Sequence, residues 1–441
     1  MEETMTEQAW GDLPQLNVQI ERAATERAGK DESPRLGWTV MAAYLFAQYA
    51  AWLALLTPVV ITIALRINQI TDPAHKARWL GLILGVGAAA AMISAPIWGA
   101  ISDRTTARIG RRKLWIVIGS LTLMSGLLVM AFARQPLIFG LGWLICQIGS
   151  NAAQAAFNAV MSDIVPDRQR GVMSALLGAS TTAAIVTGVF LIQFVGRNPI
   201  TAFMVPWLLS PVAVAVFLAV VPDAPARVQP HSKWSLSSIV GSMWINPLDH
   251  PDFAWALLSR FLVMLAYTCT MTYQVYYLTD HLHVPLPQVA HFMVLSTSVM
   301  GGLSLAVSLT GGWLSDRFER RKPFVVCAAL VVAAGMLGTA LAQDFPHFLI
   351  AAAMVSVGQG LYLAVDIALC VAVLPNPNNA ARDMAVLQIA SSLSQSLGPA
   401  IGPVLLAIGG LAGSNYFALF AAAAASALVG ALTVLPIKRA R

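Results

Sequence analysis

The sequence predicts an all-α integral membrane protein: twelve transmembrane helices in two six-helix, pseudo-symmetric halves. Three observations predict it. The composition is far too apolar for water: 57% of the 441 residues are hydrophobic and only 11% are charged, against about 45–50% apolar and about 25% charged in a soluble domain. The apolar residues come in continuous runs of spanning length. The chain also repeats itself halfway along. Soluble enzymes, disordered chains and disulfide-stapled secreted modules are excluded by the same numbers.

A spanning helix needs about 20 predominantly apolar residues. Twelve runs qualify, at 38–65, 79–101, 114–133, 137–160, 172–195, 201–221, 254–279, 289–313, 323–342, 347–374, 384–409 and 414–436. Internal prolines such as Pro58, Pro96, Pro211, Pro399 and Pro403 are compatible with this reading, because neighbouring helices accommodate kinks in a bundle. The runs are continuous and not alternating, which excludes a β-barrel. The four cysteines, Cys146, Cys269, Cys327 and Cys370, fall inside apolar runs and read as small core residues.

Residues 1–36 hold eight Asp/Glu against four Lys/Arg, lack the basic start of an export signal, and are expected to form a cytoplasmic tail. Charge then sorts the loops. Segments after spans 2, 4, 6, 8, 10 and 12 carry 17 Lys/Arg, and the opposite side carries five: Arg66, Lys76, Arg78, Arg134 and Arg197. Positive residues stay inside, so both termini are expected in the cytoplasm and the bilayer is expected to be the inner, cytoplasmic membrane.

The repeat lies in the loops. Gly99-Ala-Ile-Ser102-Asp103-Arg104, ending in Gly110-Arg111-Arg112-Lys113, returns 213 residues later as Gly312-Trp-Leu-Ser315-Asp316-Arg317, ending in Arg320-Arg321-Lys322. Gly149 to Pro166 returns as Gly358 to Pro375 at an offset of 209. The expected units are a tail 1–36, a six-helix bundle 37–221, a cytoplasmic linker 222–253, a second bundle 254–436 and a short tail 437–441. Within the linker, Trp234–Trp244 reads as a short amphipathic helix on the membrane surface.

Twelve spans in two halves with this paired basic loop resemble the major facilitator superfamily, over about residues 38–436. The long form of the first loop and Ala364-Val365-Asp366-Ile-Ala368-Leu369…Leu374-Pro375 on span 10 are similar to the glycoside–pentoside–hexuronide and sucrose-transporter-like branches. The resemblance implies a conformational latch formed by Gly99, Asp103, Arg104, Gly110, Arg111, Arg112, Gly312, Asp316, Arg317, Arg320 and Arg321. Gly99 and Gly312 would let helices approach closely. Asp103 and Asp316 would each face the N-terminus of a helix in the opposite half, span 11 and span 5, where a carboxylate is favoured. The competing reading is a basic loop that only sets topology. Asp163, Asp167, Arg168 and Arg170 after span 4 form a second charged loop, either coupled to the latch or simply solvated, and Arg382 and Asp383 are its counterpart.

By the same resemblance, spans 1, 4, 7 and 10 line a solute cavity near the bilayer midplane. Their polar residues recur at helical spacing: Tyr44, Gln48 and Trp52; Gln147, Asn151, Gln154 and Asn158; Thr270, Tyr273 or Gln274, and Tyr277; Ser356, Gln359, Tyr362 and Asp366. Polar side chains avoid lipid and should turn inward, toward a solute or toward one another. Amide, phenol and indole groups suit a neutral hydroxylated solute such as a sugar or glycoside. An exporter of amphipathic compounds and a non-transporting receptor or scaffold are the alternatives.

Asp366 is the one acidic residue deep inside a span, and Arg260 lies at matching depth on span 7, both about 10–14 Å in at 1.5 Å per residue. An intramembrane carboxylate suggests proton coupling, the alternative being a static ion pair. No phosphate loop, metal cluster or nucleophile–base set is present, so no cofactor, metal site or enzymatic chemistry is expected, and no nucleic-acid partner. The expected partners are a small-molecule solute and the lipid bilayer, with a proton as coupling ion, and the chain is expected to act as a monomer.

Overall fold

The computed structural model describes residues 35–107, 109–196, 198–223, 249–318, 320–374, 380–409 and 415–437. The proposed surface helix Trp234–Trp244 and most of the N-terminal tail and linker lie outside the described residues.

Among the described residues twelve long helical stretches follow in order: α1 (Trp38–Thr57, continued by Pro58–Thr62 and Ile63–Ile70), α2 (Lys76–Arg104), α3 (Lys113–Phe132), α4 (Pro136–Ile164), α5 (Asp167–Val195), α6 (Pro199–Trp207 and Leu209–Val220), α7 (Pro251–Tyr276, continued by Tyr277–His281), α8 (Leu286–Phe318), α9 (Arg321–Leu341), α10 (Phe345–Ala372), α11 (Ala380–Leu406) and α12 (Tyr416–Val434). Eleven helices among the described residues are long and apolar enough to cross a bilayer. The other, α11, has 27 residues and contains Pro399 and Pro403. Several helices run past the apolar runs that announced them. The first turns of α5, with Arg168 and Arg170, and the last turn of α2, with Asp103 and Arg104, are helical yet charged. Hydropathy marks where lipid ends, whereas backbone hydrogen bonding carries the helix on into water.

Local chemistry explains the irregular points. Pro58 lacks an N–H to donate, and α1 widens there into a π-turn over Pro58–Thr62. The break in α6 falls at Leu208, between Pro206 and Pro211. Helix α10 starts at Asp344, whose side chain accepts from the His347 backbone N–H at 2.9 Å.

In lipid no hydrophobic force drives helices together, so close packing must come from small residues. The two halves use the same glycines. A Cβ on Gly126 of α3 would stand 2.6 Å from the Gly142 carbonyl oxygen, and one on Gly149 of α4 would stand 2.7 Å from the Leu123 nitrogen. At an offset of 209 residues, Gly335 of α9 would meet the Val355 nitrogen at 2.7 Å, and Gly358 of α10 the Ala328 oxygen at 2.7 Å. The pseudo-symmetry seen in the loops therefore extends to backbone contact. The motif glycines Gly99 and Gly312 do not share this role: Gly99 has nothing within 4 Å of a Cβ, and Gly312 meets only Ala364 of its own half, at 3.8 Å.

The halves touch along one part of their length. At the end opposite the basic loops, Lys76 Nζ lies 2.7 Å from Asp280 Oδ1, and Tyr276 donates its hydroxyl to the Ala64 carbonyl at 3.1 Å. One and two turns further in, Gly81 and Gly85 of α2 abut Pro399 and Ser396 of α11, with 2.9 Å from a Gly85 Cβ to the Ser396 oxygen. Midway, Gly301 of α8 meets Thr182 of α5. Toward the basic end, Gly99, Gly171 and Gly178 have no atom within 4 Å of a Cβ, and Ile93, Val172, Leu309 and Trp313 are exposed. The bundle is closed at the Lys76 end and splayed at the basic end. The central helices are α1 and α10, whose apolar windows are 61% and 56% buried, against 22% for α5 and α8.

Candidate functional site

The polar faces anticipated from helical spacing divide into three groups. The first keeps unspent hydrogen-bonding capacity. Gln48 of α1 is buried and its Oε1 has no partner. Gln359 of α10 is buried, its Nε2 reaches Met264 Sδ at 3.7 Å, and its Oε1 has no partner. Gln274 of α7 donates from Nε2 to Ser296 Oγ at 2.8 Å and likewise leaves Oε1 unmatched. A buried polar atom without a partner is rare and calls for a reason. These three amide oxygens are therefore unspent acceptors on the anticipated faces of α1, α7 and α10.

The second group is half-buried. Trp52 packs against the core, and Gln147, Asn151 and Gln154 are each partly accessible. Asn151 spends its Nδ2 on the Gln147 carbonyl at 2.7 Å. Gln154 lines a small cavity inside the first half, with Ala51, Ser150, Phe157 and Ser210. Asn158, one turn on, is exposed.

The third group spends its hydroxyl donors within the bundle. Tyr44 gives its hydroxyl to the Phe157 carbonyl at 2.9 Å and packs against Phe157 and Phe217. Tyr277 donates to the Thr339 and Ala342 carbonyls, at 2.7 and 3.1 Å, amid Phe348, Tyr416 and Phe420. Tyr273 donates to the Pro399 carbonyl at 2.6 Å inside the closed end. The π-turn Tyr277–His281 that follows changes the register of this last stretch of α7. Thr270 and Ser356 bond within the second half, to Met336 Sδ at 2.9 Å and the Ala352 carbonyl at 3.0 Å.

Asp366 and Arg260 do meet. Arg260 Nη1 ion-pairs with Asp366 Oδ2, and Arg260 Nε donates to Ser391 Oγ of α11 at 2.8 Å. The Asp366 side chain is only 2% exposed, beside the fully buried Tyr362 and Cys370. The pair thus ties α7, α10 and α11 together within the second half.

The basic loop of the first half is a compact network. Arg112 contacts Asp103 Oδ1 at 2.7 Å, Asp163 Oδ2 at 3.2 Å and Ser102 Oγ at 2.9 Å, while Arg111 reaches Asp163 Oδ2 at 2.9 Å. Gly110 sits at φ +121°, a conformation that side chains rarely adopt. Asp103 therefore turns to Arg112 of its own half and is 62% exposed; among the described residues no bond joins it to α11, the contact that the resemblance implies. The second charged loop joins the network through Asp163. In the other half, Arg321 donates to the Ala368 carbonyl at 2.8 Å, Arg317 lies over the Trp313 ring at 5.6 Å, and Arg320 is exposed. The side chains of Asp167, Asp316 and Arg382 lie outside the described residues, and Arg104 closes α2. Of the cysteines, Cys146, Cys269 and Cys370 are buried, whereas Cys327 is exposed on α9.

Sequence reasoning did not find the Lys76–Asp280 contact. The two residues are 204 positions apart, and each alone reads as an ordinary charge at a span end.

A family model for the Major Facilitator Superfamily matches residues 38–303 and 256–441. The chain belongs to this superfamily of membrane transporters. Its fold is similar to that of a mutant form of the nucleoside transporter NupG (TM-score 0.73, 13% identity, covering 90% of this chain and 98% of the other). It is also similar to a D-xylose-proton symporter (TM-score 0.70, 16% identity, covering 92% and 98%). A bacterial homolog of the human lysosomal transporter Spinster, inward-facing and occupied, is a third structural relative (TM-score 0.69, 16% identity, covering 91% and 97%). Among curated sequences, the uncharacterized MFS-type transporter YfiU of Bacillus subtilis is 34% identical over 105 residues, 24% of this chain and 20% of that protein. Inositol transporter 4 of Arabidopsis thaliana is 29% identical over 133 residues, 30% of this chain and 21% of that protein. The chain thus matches about a fifth of the length of these curated relatives.

Proposed function

We propose that this transporter moves a small neutral polar solute, a sugar or glycoside, across the cytoplasmic membrane by alternating access, in symport with a proton. The observation that carries the solute class is the set of buried amides with unmatched oxygens, Gln48, Gln274 and Gln359, on three different helices. The two charges deep in the spans, Arg260 and Asp366, neutralise each other. Such walls offer hydrogen bonds to hydroxyl groups and no net charge to attract an ion. The relatives named for nucleosides, D-xylose and inositol carry hydroxylated solutes, which agrees with this class.

Orientation follows from charge. The 17 Lys/Arg of the basic loops belong in the cytoplasm. The splayed end then faces inward and the closed end outward, with both termini inside and a monomer as the working unit. Expected units remain the bundles 37–221 and 254–436, joined by 222–253. The latch of Asp103 and Asp316 closes the cytoplasmic side when the halves rock together.

Counterflow in proteoliposomes tests the reading. Preloaded liposomes should exchange a radiolabelled sugar or glycoside from a panel, and exchange should not require a gradient. Movement of amphipathic cations alone would assign the protein to the exporters, and no exchange of any solute would favour a receptor.

For coupling, the burial of Asp366 and the bond from Arg260 to Ser391 favour a second reading, a structural tie. An imposed pH gradient separates them. Under the proton-carrier reading, Asp366→Asn retains exchange but loses uphill uptake. Under the tie reading, a neutral double variant regains full uphill activity.

A further inference from the structure

We infer that Lys76 and Asp280 form the lock of the outer gate, and that its release is the step that exposes the cavity to the outside. The inference rests on the alternating-access reading and adds positioning residues to it.

The pair joins the two halves. Lys76 is the first residue of α2, and Asp280 lies on the π-turn that ends α7. Their side chains are 13% and 22% exposed and 2.7 Å apart, so the bond is partly shielded from water and from salt. Asp280 is aimed by its own half, and Lys76 packs on a ring of the opposite half. Asp280 Oδ1 also accepts from Thr279 Oγ1 at 2.8 Å, and Oδ2 accepts from the Tyr416 hydroxyl of α12 at 2.9 Å. Lys76 Nζ lies 5.0 Å from the centre of the Tyr276 ring, and Tyr276 reaches across to the Ala64 carbonyl of α1.

The backbone beneath the pair suits a reversible contact. Over Tyr277–His281 the helix widens from α to π, a form frequent at functional sites. Helix α1 carries its own π-turn at Pro58–Thr62, below Ala64. Under the polar layer, the α2–α11 contact at Gly85 and Ser396 is smooth and made of small residues. Among the described residues, no polar bond between the halves lies at that contact. The Lys76–Asp280 bond supplies the directional hold.

The test uses the full-length protein in liposomes, without solute or gradient, so it can fail independently of the solute and coupling readings. Spin labels are placed at Asp72→Cys and Gln288→Cys, both exposed at this end, in a Cys327→Ser background that removes the exposed thiol. Pulsed electron–electron resonance then reads the separation. The parent should show a dominant short distance. Lys76→Ala and Asp280→Asn should each enlarge the long-distance population by about threefold or more, the scale of a partly shielded ion pair. The exchange Lys76→Asp with Asp280→Lys should restore the short distance. Unchanged distances in both single variants overturn the lock. If the single variants misfold, a folded exchange variant with the short distance upholds it, and a misfolded exchange variant overturns it by showing that the pair serves folding alone.

Discussion

Asp103 and Arg112 hold each other at 2.7 Å across the turn between α2 and α3. The same guanidinium reaches Asp163 at the end of α4. Arg112 is thus the hub of three helix ends, with 5% of its side chain exposed, while Asp103 stays 62% open.

That asymmetry predicts unequal losses. Arg112→Ala should cost the folded protein about 1–3 kcal/mol, because it leaves the half-buried Asp163 and the buried Ser102 hydroxyl without their donor. Asp103→Asn should cost about 0–1 kcal/mol, as for an exposed pair. Under the proposed latch, which would use the exposed face of Asp103, it should nonetheless slow transport and favour the inward-facing state. Thermal unfolding in detergent checks the first statement. Solute counterflow checks the second, and an Asp103→Asn protein transporting at the parent rate would remove the latch role.

Helix packing should respond alike in both halves. Gly126→Leu and Gly335→Leu each force a side chain into a backbone about a Cβ away. Overpacking typically costs 1–3 kcal/mol, so both proteins should lose their monodisperse peak in gel filtration. Gly302→Ala meets open space and should elute like the parent.

Solute affinity and stability should separate by residue. Gln359→Leu should weaken binding by about 0.5–1.5 kcal/mol, or about 2- to 12-fold, with little change in melting temperature. Tyr277→Phe should do the reverse, since its hydroxyl serves the Thr339 and Ala342 carbonyls. Calorimetric titration beside melting curves distinguishes the two. Equal effects at both positions would return Gln359 to plain packing.

Within the second half, Arg260→Ala should destabilise by about 3–5 kcal/mol through the unpaired Asp366. Arg260→Met combined with Asp366→Asn should recover most of that loss by removing both buried charges, at the cost of the Arg260 bonds to Ser391 and to position 366. Melting temperatures of the three proteins check this. A double variant as unstable as the single would mean that Arg260 acts through Ser391 more than through Asp366.

The sequence alone determined the class, the span count and the two-fold repeat, and it put Arg260 level with Asp366. Each follows from local or translational information: runs longer than a bilayer, loops recurring at 213 residues, and two charges at equal depth with no other partner in reach. The tertiary structure decided which polar residues remain available. Tyr44, Tyr273 and Tyr277 share helical faces with Gln48 and Gln274, yet their hydroxyls reach backbone carbonyls of neighbouring helices. Periodicity shows the side of a helix and not what stands opposite. It also decided the state of the halves. Lys76 and Asp280 meet because α2 and α7 converge at one end, while Asp103 pairs with Arg112 across the turn that follows α2. Which end is closed depends on a rigid-body angle between halves, and one sequence must support both angles to transport at all.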